Sequence, residues 1–340
     1  MTVFTLTSML ILAIVFSLNV GFAPIRFFTV LRIIANQIPL LSSFVDSSSI
    51  PHVEETIIIQ IRMPRILASA LVGAALAAAG VLYQGIFKNP MADPYVLGVS
   101  AGAAVGASIA IVLGVDISLF GLGALQFLSF ICSLITIFIV YNISRVGSKV
   151  PITTLLLSGI AVSIFLSAIV TVMKVIAGER LHAVVFWLMG GFSYVEWKDV
   201  WAVLPLICLG IAAAYSFARD LNILSLGEET AQYLGVEVEK VKKTLLISGS
   251  LITAAAVSIS GLIGFIGLII PHITRILIGP DHRILLPAST IVGAMFLVIC
   301  DAIARVIVSP AELPVGVITA LSGGPFFIYL LRKKKEGYAV

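Results

Sequence analysis

The polar segment 219–243, RDLNILSLGEETAQYLGVEVEKVKK, holds residues whose types and spacing suit the docking of a partner. Gly227 and Gly235 bracket a short stretch, and glycine at the end of a short helix is a common cap. Glu228 and Glu229 fall in the first turn of the helix that this spacing predicts, where negative charge suits the helix dipole. The segment therefore predicts one short, capped helix.

The same segment carries a small apolar edge, formed by Leu226, Ala231 and Leu234. A second short helix is predicted at 236–241. Two interpretations remain open at this point. The segment is either a solvated loop with two turns of helix, or a docking surface for a cytoplasmic partner, because amphipathic helices dock into grooves.

Two arginines, Arg62 and Arg65, flank Met63-Pro64 at the start of an apolar run. Proline suits a helix start because it has no amide hydrogen to satisfy there. The arginines either anchor the helix at the membrane interface or form an outward-facing pair that meets carboxylates of a partner, a role that guanidinium forks suit.

Asp301 and Arg305 lie inside a later apolar run, where charges are costly and usually paired. A spacing of four residues places both on one face of a helix. We predict a local ion pair near the outer surface in preference to a proton relay, because one acid does not make a relay.

The loop 88–94, KNPMADP, contains two proline turns between apolar runs. Such a loop is stiff, and it either connects two helices or constricts the inner mouth of a pore.

Motifs for other chemistries do not occur in the sequence. It has no G-x-x-x-x-G-K-[ST], no H-E-x-x-H and no G-x-S-G, which excludes the common devices for phosphate binding and membrane proteolysis. The four histidines share no ligand spacing, and no basic stripe with interleaved aromatics suggests nucleic acid. We predict no catalytic residue, cofactor, metal site or nucleic-acid partner.

The elements that position these residues follow from composition. Of 340 residues, 60% are hydrophobic and 11% are charged, whereas soluble domains carry about 25% charged residues. Lipid must therefore be the solvent for much of the chain. We predict an all-α integral membrane protein with about ten transmembrane helices. They are placed at 5–23, 66–84, 96–114, 119–141, 152–173, 199–218, 244–262, 264–278, 286–307 and 314–331.

Two of these predictions depend on small residues. The second span is so rich in alanine and glycine that we expect other helices to surround it, because membrane helices pack by close backbone approach. The apolar tract 245–278 is too long for one span and contains Gly261, Gly264, Gly267 and Pro271. It is predicted to form a full helix, a turn and a short second helix.

The distribution of lysine and arginine sets the orientation. With a cytoplasmic N-terminus, inside segments hold 13 of the 21 basic residues and outside segments hold 8. This agrees with the positive-inside rule. We expect a single transmembrane domain over 1–340, an uncleaved first span, an outer loop at 24–65, a cytoplasmic loop at 219–243 and both termini in the cytoplasm.

Six segments, read in order, resemble the FecCD family of ABC-importer permeases, which serve iron-siderophore, haem, cobalamin and molybdate import. The segments are IRMPRILASALVGAALAAAG, FKNPMADPYVLGVSAGAAVG, FWLMGGF, LGEETAQYLG, GFIGLIIPHITR with DHRILLP, and AELPVGVITALSGGPFFIYLL. The resemblance extends from about Ile61 to the last span. It implies a fold like that of the cobalamin permeases, with no enzymatic chemistry in this chain.

The resemblance also implies partners and roles. Family members act as homodimers or paired subunits, with a separate ATPase dimer inside and a substrate-binding protein outside. By this likeness Leu226, Gly227, Glu228, Glu229, Ala231, Leu234 and Gly235 form the ATPase-coupling surface. Arg62, Arg65 and Arg305 correspond to arginines that meet glutamates of the binding protein.

The same likeness places the pathway at 152–173 and 183–189, and the inner gate at Asn89, Met91, Ile152 and Thr153. Closure of the ATPase dimer would rock the two permease halves and alternate access between the two sides. The competing interpretation is an ion-coupled secondary transporter, which usually needs charges at mid-membrane. The expected cargo is an iron chelate, such as a siderophore complex or haem, or a corrinoid such as cobalamin, and the residues do not separate these.

Overall fold

The computed structural model describes residues 2–38, 51–115, 118–119, 121–147 and 149–336. Over these ranges the chain is almost entirely helical. The helices are α1 (Thr2–Asn19), α2 (Phe27–Gln37), α3 (His52–Ile86), α4 (Val99–Leu113), α5 (Ala124–Ser144), α6 (Ile152–Ile176), α7 (Leu181–Met189), α8 (Trp197–Ser216), α9 (Ala218–Ser225), α10 (Glu228–Tyr233), α11 (Val238–Ser260), α12 (Ile266–Ile278), α13 (His282–Ala304) and α14 (Val315–Glu336).

Ten of these helices are apolar enough to belong to a membrane bundle. Within the described ranges, seven are long enough to cross a membrane, namely α1, α3, α5, α6, α8, α11 and α13. Two shorter apolar helices, α4 and α12, and the apolar part of α14, Val315–Tyr329, complete the set. The predicted all-α membrane fold with about ten helices is therefore confirmed.

Helix α3 forms the centre of the bundle. In its apolar stretch of 18 residues, 83% of the residues are buried. The helix contacts α13, α11, α12 and α8. A Cβ at Gly73 would overlap the backbone of Gly293, and one at Gly80 would overlap the backbone of Gly267. The glycines thus permit the close backbone approach expected for a surrounded membrane helix.

The long apolar tract is broken as predicted, between α11 and α12. The hydroxyl of Tyr95 satisfies the broken backbone: it donates to the Ile263 carbonyl at 2.9 Å and accepts from the Ile263 N–H at 3.2 Å. Gly191 N–H also donates to the Ser260 carbonyl at 2.8 Å. Non-helical backbone inside a membrane bundle requires such partners, because no water is available there.

Three predicted boundaries were wrong. The predicted helix at 119–141 starts later, since Ser118–Leu119 pairs with Leu122–Gly123 as two short antiparallel strands and α5 starts at Ala124. The second short helix at 236–241 does not exist as a separate element, because Val238 already opens α11.

The predicted outer loop 24–65 is the third correction. It contains α2 and the first turns of α3, including a π-helical stretch at Ile57–Arg62. The segment 39–50, with Asp46 and Ser47–Ser49, lies outside the described residues.

The bundle has two ends, which we name by their residues. The α10 end carries the connections 87–93, 217–237 and 279–281 and residues 145–147 and 149–151. The arginine end carries Arg62, Arg65, Arg305, the connections 177–196 and 305–314 and residues 114–115, 118–119 and 121–123.

Candidate functional site

A short helix projects from the α10 end between two glycines. Gly227 and Gly235 have φ values of 134° and 84°, a region that favours glycine, so the sequence can leave α9, form α10 and turn into α11. The tip exposes three large apolar side chains: Leu226 is 68% exposed, Tyr233 92% and Leu234 60%. Glu229 is also exposed. An apolar tip with a charged rim is typical of a protein-interaction surface.

The structure changes the predicted composition of this tip. Ala231 was expected on its apolar edge, but its side chain is fully buried and packs inward against the bundle. Tyr233 takes the exposed place, and the sequence reading missed it. The signal was present in part, because Tyr233 is a large aromatic residue that directly precedes Leu234 and Gly235.

Helix α9 fastens this tip to the bundle. The Asn222 side chain donates to Asp281 at 2.7 Å and accepts from the His282 N–H at 2.9 Å. Hydrogen bonds from Arg283 and Asn222 hold the pKa of the Asp281 carboxyl well below its usual range. These hydrogen bonds join α9, and with it the tip, to the connection between α12 and α13.

Beneath the tip lies a buried lysine that sequence reading also missed. Lys242 is 4% exposed, and its ammonium group lies 2.7 Å from Glu228 of α10 and 3.3 Å from Glu239 of α11. The second carboxylate oxygen of Glu239 accepts from the Val150 N–H at 3.4 Å. The Glu239–Lys242 spacing was visible in the sequence, but the pairing with Glu228 was not.

The predicted inner-gate residues lie on two segments of the same end. The Asn89 side chain is exposed, and its oxygen accepts from the Met91 N–H at 3.0 Å, which stiffens the loop. Ile152 opens α6 as a half-buried residue, and Thr153 beside it is exposed. Their gating role stays a prediction.

At the arginine end, Asp301 is the centre of an ion network. It has no exposed surface, and it lies 2.9 Å from Arg65 Nε and 3.1 Å from Arg305 Nε. The predicted Asp301–Arg305 pair is confirmed. Arg65 Nη1 also lies 2.7 Å from Glu312.

The remaining guanidinium contacts are hydrogen bonds to backbone carbonyls at and just after the end of α1. Arg62 donates to the carbonyls of Leu18 and Ala23, and Arg305 donates to the carbonyl of Val20 at 2.7 Å. Arg62, Arg65 and Arg305 are only 5%, 7% and 4% exposed. They do not face outward as expected: in this conformation their hydrogen bonds go to this chain. Whether a binding protein docks on them stays a prediction.

Glu312 is the exposed member of this network. Its side chain is 37% exposed and accepts from the Ser193 hydroxyl at 3.1 Å. Burial by itself raises the pKa of Glu312, but the adjacent Arg65 outweighs it and lowers that pKa. Through Ser193, the network reaches the connection that follows α7.

Helix α7 borders a cavity of about 320 Å³ near this end. Its wall combines the aromatic residues Phe186, Trp187 and Tyr194 with the polar side chains Gln126 and His182. The predicted pathway segment 183–189 thus lies beside open space, whereas most of α3 lies in a packed interior.

Comparison with known proteins decides the family. The model of the FecCD transport family matches residues 9–333. The chain belongs to the FecCD transport family. It is accordingly a multi-pass membrane permease subunit of an ABC importer, and it is not itself an enzyme.

Individual relatives of this FecCD permease differ in the cargo for which they are named. It is 47% identical to a cobalamin import permease of Halobacterium salinarum, over 84% of this chain and 76% of that protein. It is 41% identical to a hemin permease of Yersinia pestis, over 82% of this chain and 84% of that protein.

A solved inward-facing ABC transporter assigned to the metal-chelate type shares the fold. It aligns with a TM-score of 0.81 and 36% identity over 97% of this chain and 98% of the other.

Proposed function

We propose that this FecCD permease forms a homodimer that imports a bulky metal chelate, with a corrinoid such as cobalamin as the first candidate. The ATP-driven part of the proposal is carried by the apolar tip at Leu226, Tyr233 and Leu234, and the 47% identity to a cobalamin import permease supports the cargo. Three large apolar side chains exposed to water at the end of a membrane protein mark a surface that a partner covers. We assign that partner as the ATPase of the importer.

The orientation follows from this assignment. The α10 end faces the cytoplasm, and both termini lie on that side, in agreement with the 13 to 8 distribution of basic residues. The coupling surface comprises Leu226–Gly235 apart from the buried Ala231, which anchors it.

The second permease copy is assigned to the exposed face of α6. In the apolar stretch of 18 residues of this helix, only 17% of the residues are buried. It presents large apolar side chains, including Leu157, Ile164 and Phe165, and its one charge, Lys174, lies in the last turn. Such a face suits lipid, a second copy and a bulky, weakly held cargo, but not a coupling-ion site.

The arginine end is assigned to the substrate-binding protein. Because Arg65 already holds Glu312 at 2.7 Å, a carboxylate of the binding protein would meet Arg65 by exchange with Glu312. Arg62 and Arg305 would take part after release of the carbonyls that they now bind.

A transport assay tests the proposal. The chain is reconstituted in liposomes with the ATPase and binding protein encoded beside it. ATP-driven uptake of cyanocobalamin, a ferric siderophore, haem and molybdate is then compared. We expect uptake of cobalamin, lost in a Glu228→Arg, Glu229→Arg variant. Uptake of another ligand would show that the cargo is that ligand and not cobalamin. Uptake that follows an ion gradient without the ATPase would contradict the mechanism.

A further inference from the structure

The buried cation Lys242 joins three elements of the α10 end. It lies on α11, pairs with Glu228 of α10 at 2.7 Å and with Glu239 of its own helix at 3.3 Å. The Lys242 side chain is buried, whereas those of Glu228 and Glu239 are 39% and 37% exposed. Displacement of α10 therefore either carries Lys242 along or leaves a buried ammonium group with one charged partner fewer.

The third element is the turn before α6. Glu239 accepts from the Val150 N–H at 3.4 Å, and Val150 is itself buried. Val146 and Lys149 exchange backbone hydrogen bonds of 3.0 and 3.2 Å, which makes this turn tight.

The turn is also tied to the helices on both sides. The Thr154 hydroxyl donates to the Ser144 carbonyl of α5 at 3.0 Å and to the Pro151 carbonyl at 2.9 Å. Movement of Val150 thus moves the first turn of α6, where Ile152 and Thr153 lie.

We propose that Lys242 is a positioning residue that links the ATPase-docking helix α10 to the start of α6, through Glu228, Glu239 and Val150. This rests on the proposed function of α10. The link spans 14 residues between Glu228 and Lys242 and 89 residues between Val150 and Glu239, so it joins segments that the fold brings together.

An exposed pair on the other side of the bundle shows the contrast. Lys198 lies 2.9 Å from Glu196, and both side chains are more than half exposed. Solvent screens such a pair, which contributes little and connects only neighbouring residues. The Lys242 pairs differ in two respects: the lysine itself is 4% exposed, and its partner Glu228 lies on a separate element.

The test follows the accessibility of a single cysteine at the start of α6. Cys132, Cys208 and Cys300 are replaced by serine, Thr153→Cys is introduced, and the permease is combined with its ATPase in nanodiscs. Maleimide labelling of the cysteine is timed without nucleotide and with ATP and vanadate. ATPase binding and ATP hydrolysis are measured on the same samples.

The expected result separates coupling from docking. In the unsubstituted protein, nucleotide should change the labelling rate roughly tenfold, within the 5–150-fold range of allosteric coupling. Lys242→Met should keep ATPase binding but lose this change in rate. Lys242→Arg restores the change, since it keeps the charge. Lys198→Met, the same substitution at the exposed pair, leaves the labelling response as in the unsubstituted protein.

The outcomes are distinguishable. A normal labelling response in Lys242→Met, even with reduced thermal stability, would overturn the inference. The network would then only stabilise the fold. If Lys242→Met does not fold, Lys242→Met combined with Glu239→Gln removes both charges of the α11 pair and must also lose the response. If the unsubstituted permease fails to bind the ATPase, both the proposed function and the link through Lys242 are overturned.

Discussion

Replacing Asp301 by asparagine removes the charge on which two buried arginines converge. Asp301 is fully buried, and Arg65 and Arg305 approach it at 2.9 and 3.1 Å. Breaking a buried ion pair by removal of one partner costs about 3–5 kcal/mol, because the other charge stays buried without compensation. Arg65 keeps Glu312 and Arg305 keeps the Val20 carbonyl, so we expect the lower end, about 3 kcal/mol.

The assay is equilibrium unfolding in mixed micelles, followed by tryptophan fluorescence. Trp197 is a suitable reporter, since its indole N–H donates to the Ile59 carbonyl at the arginine end. Adding Arg305→Met to Asp301→Asn is expected to recover part of the loss, because it removes a charge that has lost its partner. A loss in Asp301→Asn below that of Glu312→Gln would refute the reasoning.

Glu312→Gln is the matched comparison. Its side chain is 37% exposed, so solvent screens its pair with Arg65 and we expect a loss of about 1 kcal/mol. The folded-state pKa of Glu312 is lowered, so its stabilisation is present above the unfolded pKa of about 4.3 and is lost as pH falls through the folded value. The acid side of the stability profile should therefore flatten in Glu312→Gln.

Three further substitutions test separate parts of the account. Gly80→Ala places a methyl group against a facing backbone carbonyl and should destabilise the bundle by about 1–3 kcal/mol in the same unfolding assay, whereas Gly264→Ala meets open space and should be neutral. Tyr233→Ala should weaken ATPase binding by about 2 kcal/mol without loss of folding, as measured by titration of the purified ATPase; equal affinity would remove Tyr233 from the docking surface. Tyr95→Phe leaves the Ile263 backbone without partners and should cost about 1–3 kcal/mol of unfolding free energy.

Local patterns in the sequence predicted most of the bundle. Apolar runs gave the ten helices, and the glycines between Gly261 and Gly267 marked the break between α11 and α12. The short strands Ser118–Leu119 and Leu122–Gly123 escaped prediction because their residues continue an apolar run. Helix α2 escaped because the segment was read as a connection between spans.

The candidate site was predictable only where its contacts are local. Gly227 and Gly235 marked the ends of α10, and the four-residue spacing of Asp301 and Arg305 predicted their pair. Arg65 lies 236 residues from Asp301, so no spacing rule connects them. The burial of the arginines follows from these distant contacts, and the sequence alone therefore suggested exposed side chains.

The docking of an ATPase on the α10 tip is tested most directly by labelling a cysteine at Leu234. In a background without the three native cysteines, Leu234→Cys is exposed to a membrane-impermeant maleimide in right-side-out and inside-out vesicles, with and without the ATPase subunit. Leu234 is 60% exposed in the isolated chain. We predict labelling only in inside-out vesicles and strong protection when the ATPase binds. Labelling from the outside, or an unchanged rate in an assembled complex, would contradict the account.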